Sequence, residues 1–172
     1  LEILIDEVRQ AGVEEIGVVI HPGDSSVYSE IIDGDQQIHF IEQDKQLGYG
    51  YAILCAASFI GDEYFLHLVG DHLYVNRANV SCANHLTEVA KQNKCSVSAV
   101  TSTRENLIPN FGTIGGKRVH NTNNLYIIDK VIEKPTPTIA EQKLIIPGLR
   151  AGHYLCFFGM HVFSPTLMQI LK

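Results

Sequence analysis

Short apolar runs alternate with helical stretches through the first hundred residues, and this alternation constrains the fold more than any other feature. Ile16–Ile20, Ile38–Ile41, Tyr64–Val69 and Ser96–Thr101 read as strands. Between them, Ile3, Leu4, Val8 and Ala11 recur at helical spacing, with Gly12 as a stop. Asp24 or Ser25 caps a helix running to about Ile32, and Asp33-Gly34-Asp35 makes a turn. Tyr51–Phe59 reads as one apolar helix ended by Gly61, and Ala83–Gln92 as another. Strand–helix alternation of this kind builds βαβ crossovers and a mostly parallel sheet covered on both faces.

The pattern changes after Thr101. Phe111–Ile114, Leu125–Glu133 and Tyr154–Phe163 are strand-like and separated by turns, one of them Thr122-Asn123-Asn124. This part is expected to be antiparallel or mixed. Ser164 as N-cap and Pro165 at N1 start a last helix. The loop Ile139–Gly152 carries no pattern that fixes its conformation.

Open parallel sheets bind ligands beyond the carboxyl ends of their strands. In this chain those ends carry His21, the loop Gln43–Gly50, Asp71 with His72, and the segment after Thr101. Asp71 closes a fully apolar strand. A carboxylate there can hold a hard cation, although Asp also simply caps such turns. Gln46-Leu47-Gly48-Tyr49-Gly50 precedes a helix and matches neither a Walker A loop nor GxGxxG. Its glycines let backbone N–H groups approach an anion or a base edge, or merely turn the chain. Lys134 precedes Pro135, which favours an extended conformation before it. A lysine there is either a point charge for a phosphate or half of a solvated pair with Glu133.

Composition removes other classes. The 172 residues carry 13 Lys and Arg against 19 Asp and Glu, a net charge of −6. With no basic run, the chain is not expected to bind nucleic acid. The longest uncharged apolar stretch, Ala52–Ile60, is too short to span a bilayer, so no membrane association is expected. Cys55, Cys82, Cys95 and Cys156 lie at no CxxC spacing. Cys55 and Cys156 read as buried thiols, and a cytoplasmic setting is expected. The eight histidines form no HxH or HExxH, so a zinc site is not expected.

The order Gln43, Leu47-Gly48-Tyr49-Gly50-Tyr51-Ala52, Phe59-Ile60-Gly61-Asp62-Glu63, Leu68-Val69-Gly70-Asp71, Phe111-Gly112-Thr113-Ile114, Val131-Ile132-Glu133-Lys134-Pro135 and Gly159-Met160-His161-Val162-Phe163 resembles the bacterial sugar-1-phosphate nucleotidyltransferases. The stretch Gly48–Ala56 is most similar to the uridylyltransferase branch. The resemblance covers essentially the whole chain. It implies a Rossmann-like three-layer α/β/α fold with a mixed, mostly parallel central sheet.

The implied reaction joins UTP and glucose 1-phosphate to give UDP-glucose and pyrophosphate, with Mg²⁺ as cofactor. The thymidylyltransferase branch, which uses dTTP, and a non-catalytic sugar-nucleotide-binding relative remain alternatives. The resemblance implies that Gln43 reads the pyrimidine edge, with Gly48 beside it. Asp71 would ligate Mg²⁺. Gly112, Glu133 and Gly159 would contact the sugar, and Lys134 the sugar phosphate. Family members are often oligomeric, so a homo-oligomer is a further expectation.

Two family elements are not among these residues: the glycine-rich βα unit with its Arg, and a second metal-binding Asp. The expectation is a core segment, 1–172, of a single nucleotidyltransferase domain, inactive by itself. A metal-dependent glycosyltransferase would need an Asp-x-Asp after the strand, which Asp71-His72-Leu73 does not supply. Glu133 and Lys134 can serve one substrate only if their strand ends or bends there, because adjacent strand residues face opposite ways.

Overall fold

A computed structural model describes residues 1–32, 35–76 and 80–172. Asp33 and Gly34 of the expected turn lie outside these. The chain divides into two compact units, Leu1–Val97 with His161–Lys172, and Ser98–Met160.

In the first unit, α1 (Glu2–Gln10) leads to β1 (Ile16–Ile20), α2 (Ser25–Ile32) and β2 (Ile38–Glu42). β1 and β2 pair in parallel, with Ile16 opposite Ile38 and Ile20 opposite Glu42. This is the crossover the alternation demands. The apolar residues that follow form two helices, α3 (Tyr49–Cys55) and α4 (Ala57–Ile60), where the sequence suggests one. The ladder breaks at Ala56, whose ψ is 4°, and its N–H bonds back to Ile53 instead of Ala52. The second segment sets the Phe59 ring against Gly17 of β1, where a Cβ would lie 2.9 Å from ring carbons. Gly61 ends α4 as expected, at φ 62°.

β3 (Phe65–Leu68) follows, then α5 (Cys82–Asn93). Ser81 caps α5 by accepting from the Asn84 N–H, and the Glu7 carboxylate of α1 accepts from the Ala83 N–H at 2.8 Å. Two of the N–H groups left over at that helix end are thereby satisfied. Lys94 closes α5 in the left-handed region. β3 neighbours β7 (His153–Phe163), whose last residues, His161–Phe163, belong to this unit.

The final helix, α7 (Thr166–Leu171), is capped by Pro165 rather than Ser164. Ser164 is engaged elsewhere: its N–H donates to Ser96 Oγ at 2.9 Å, and its own Oγ accepts from that hydroxyl.

The second unit is built on antiparallel strands. β4 (Val97–Arg104) enters it, and β5 (Gly112–Arg118) pairs antiparallel with β6 (Tyr126–Glu133) and with β7 (His153–Phe163). The β5–β6 register shifts between Gly115 and Gly116. One core cluster gathers Ile108, Ala140, Leu144, Tyr154 and Cys156; another gathers Ile114, Ile146 and Leu155. Part of the loop left open by the sequence is a helix, α6 (Pro137–Lys143), with Thr136 as N-cap and Pro137 at its start. Ala140 of α6 and Leu144 just beyond it are fully buried. Burial of a leucine side chain contributes roughly 1.5–3 kcal/mol, enough to fix a helix this short.

All four cysteines are free thiols, Cys156 buried and Cys55 only partly so. No helix among the described residues is long and apolar enough to cross a membrane.

Candidate active site

β1 and β2 end side by side, and the loops leaving them meet in a recess of about 440 Å³. Its lining comprises Val19, Ile20 and His21 from the end of β1, Gln43 and Gln46 from the loop after β2, and Gly48, Tyr49 and Ala52 at the start of α3. Parallel pairing places both carboxyl ends on the same rim, so the sequence order alone brings Gln43 and Gly48 together. The Gln43 N–H continues the ladder, donating to the Ile20 carbonyl at 2.9 Å. The Gln43 side chain donates one amide hydrogen to the Lys45 carbonyl at 3.0 Å. Its second amide hydrogen and its oxygen are the groups a carboxamide can offer to a base edge.

Gly48 is the N-cap of α3, at φ 96° and ψ −174°. Only glycine adopts that region without strain. Tyr51, within the first turn of α3, ties the loop down: its hydroxyl donates to Asp44 Oδ1 at 2.6 Å. The carboxylate pushes the Tyr51 phenol up to about 12, so the proton stays on the tyrosine.

Asp71 follows β3 in the same unit and is not among the residues lining the recess. Its side chain is 83% exposed. His72 Nδ1 donates to Asp71 Oδ1 at 2.7 Å. That hydrogen bond holds the Asp71 carboxyl below the usual range, so it is an anion at neutral pH. Among the described residues, no three His, Cys, Asp or Glu gather as a metal cluster.

The second unit assembles Gly112, Glu133 and Lys134. Gly112 pairs with Glu133 across β5 and β6. β6 ends at Glu133, and Lys134 turns away at φ 47°, with its N–H donating to the Phe111 carbonyl at 3.1 Å. The residue before Pro135 is therefore left-handed, not extended as the proline suggests. The Phe111 carbonyl supplies the bond that holds it there. The turn brings two neighbouring side chains to one side: Lys134 Nζ lies 4.0 Å from Glu133 Oε1, both largely exposed. Gly159 lies within β7 at φ 79°.

Sequence reasoning passed over Tyr49 and His67. The Tyr49 hydroxyl lies 3.0 Å from His67 Nδ1, the two rings edge to face. The available signal was Tyr49 standing next to Gly48 at a helix start. Nothing in the sequence linked it to His67 on β3.

A UTP–glucose-1-phosphate uridylyltransferase of Bacillus subtilis, YngB, is 26% identical over all of this chain and 61% of its own length. One from Pseudomonas aeruginosa is 24% identical, again over all of this chain and 66% of its own. The chain thus spans less than two thirds of the length of these curated relatives. A UDP-glucose pyrophosphorylase solved in complex with UDP-glucose superposes with a TM-score of 0.78 at 19% identity, covering 99% of this chain and 66% of that one. A UTP-bound enzyme from Acinetobacter baumannii superposes at 0.79 and 18% identity, covering 98% and 64%. At these identities the structures establish the mixed α/β nucleotidyltransferase fold. The nucleotidyl transferase family model matches residues 1–172 from end to end, and the chain belongs to that family.

Proposed function

We propose that this chain carries the base, sugar-phosphate and one metal position of an Mg²⁺-dependent UTP–glucose-1-phosphate uridylyltransferase. The observation that carries this reading is the recess that joins Gln43 and Gly48 at the carboxyl ends of β1 and β2. Within it, the Gln43 carboxamide presents a donor and an acceptor to the complementary acceptor and donor on the uracil edge. The backbone at Gly48 lets the base approach without a side chain in the way.

In the second unit, Lys134 supplies a point charge for the phosphate of glucose 1-phosphate, and Glu133 accepts from sugar hydroxyls. Gly112, opposite Glu133 across β5 and β6, and Gly159 contact the sugar in this reading. The reaction brings two polyanions together, so positioning and charge neutralisation matter more than a protein nucleophile.

The Asp71 carboxylate has the donor chemistry that Mg²⁺ requires: a hard, anionic, exposed oxygen. Among the described residues no cluster of three potential ligands forms around it, so it fits an ion whose other ligands are phosphate oxygens and water. Bound Mg²⁺ would neutralise phosphate charge during the transfer. Asp71 holds its charge for that purpose, and His72 orients it.

Titration calorimetry with UTP tests the base assignment. Gln43→Ala is expected to weaken UTP binding about tenfold, the loss of two hydrogen bonds, and to leave glucose 1-phosphate affinity unchanged. Unaltered UTP affinity would overturn the assignment.

A further inference from the structure

Tyr49 occupies the first turn of α3, directly after Gly48, and is among the residues lining the recess with Gln43. The first turn of a helix lacks half of its ladder and frays readily. The ring of Tyr49 is nevertheless tied to a strand. Its hydroxyl lies 3.0 Å from Nδ1 of His67 in β3, with ring centroids 5.2 Å apart and planes at 82°.

His67 is itself packed among rings. His161 lies 6.1 Å away and Phe163 6.2 Å, and His161 stacks on Phe163 at 4.9 Å and 10°. Burial pushes both histidines down to about 4, so they are neutral at physiological pH. Burial also raises Tyr49 to about 12, so its proton stays on the oxygen. A neutral imidazole offers one ring nitrogen as an acceptor, and the phenol matches it as a donor.

We infer that Tyr49 forms a wall of the recess against the pyrimidine base and that His67 is the positioning residue that fixes this wall from β3. This inference rests on the assignment of the recess to the base of UTP. Two χ angles make tyrosine a cheap rigid surface. The bond to His67 removes the remaining ring freedom before the nucleotide arrives, which is how pre-organisation raises affinity.

The test combines UTP titration, kinetics and the ring ¹⁵N spectrum of the histidines at neutral pH. Tyr49→Phe is expected to raise the UTP dissociation constant about fivefold, the weight of one net hydrogen bond, and to move the ring resonances of His67. The KM for UTP rises more than kcat falls, and the KM for glucose 1-phosphate stays put. His67→Val gives the same loss. His67→Asn, whose carboxamide oxygen reaches close to the Nδ1 position, restores most of it. The double variant Tyr49→Phe/His67→Val is no worse than either single change, because both remove one contact.

Additive losses, no rescue by asparagine, unmoved His67 resonances or an unchanged UTP affinity in Tyr49→Phe would each overturn the inference. If the unchanged protein does not bind UTP, the base assignment falls, and this inference with it. If it binds UTP and Tyr49→Phe binds equally well, only the inference falls.

Discussion

Glu133 Oε2 lies 2.9 Å from where a Cβ would stand on Gly112, the residue opposite it across β5 and β6. The carboxylate occupies the space that the absent side chain leaves, beside the ring of Phe157, which a Cβ would meet at 3.2 Å. Gly112→Ala must therefore displace the carboxylate, the ring or both. If Glu133 holds the sugar, the variant raises the KM for glucose 1-phosphate about tenfold and leaves UTP binding intact. Steady-state kinetics with each substrate varied in turn separates the two.

Lys134→Ala removes the cation that the left-handed turn places beside Glu133. A charge-assisted contact contributes roughly 1.5–3 kcal/mol, so kcat/KM for glucose 1-phosphate is expected to fall by about 10- to 100-fold. UTP affinity, measured by calorimetry, changes little. Equal losses for the two ligands would contradict the assignment of Lys134 to the sugar phosphate.

Gly48→Ala probes the backbone alone, because an added Cβ there meets nothing within 4 Å. The conformation at φ 96° and ψ −174° is nonetheless closed to alanine without strain, at a cost of about 1–3 kcal/mol. Thermal unfolding should drop by several degrees, and UTP binding should weaken as the loop rearranges. A variant with wild-type melting would show that the loop is not held in this conformation.

Much of the first unit was legible in the sequence, because periodicity reports burial. Ile16–Ile20 is a strand with the bounds its apolar run suggests, and the parallel pairing of β1 with β2 follows from the helix between them. Gln43 and Gly48 converge for the same reason. The errors have local causes. The break at Ala56 leaves no mark in an apolar run, since alanine fits either geometry. Thr136-Pro137 is a good helix start whose signal the neighbouring proline, Pro135, masks. Ser164 loses its capping role to Ser96, sixty-eight residues away in sequence, and Lys134 yields to the Phe111 carbonyl. In the last two, a tertiary contact overrides a local preference.

The buried histidines give stability a pH dependence of definite sign. His67 and His161 titrate at about 4 when folded against an ordinary value of 6.5. Between those values the unfolded chain binds more protons than the folded one, so stability falls as pH drops from about 6.5 towards 4 and is flat above. The effect is on the order of 3 kcal/mol at most for each ring. Urea unfolding at pH 7.5 and 5 checks this, and His67→Val should reduce the difference. A protein equally stable at both values would contradict the burial of these rings.

The most direct measurement is pyrophosphate release by the full-length protein with Mg²⁺, across a panel of nucleoside triphosphates and sugar 1-phosphates. UTP with glucose 1-phosphate is expected to be the best pair and to yield UDP-glucose, with Asp71→Asn nearly inactive. No pyrophosphate from any pair, in a protein that still binds UTP, would contradict catalysis and leave a binding protein on a nucleotidyltransferase fold.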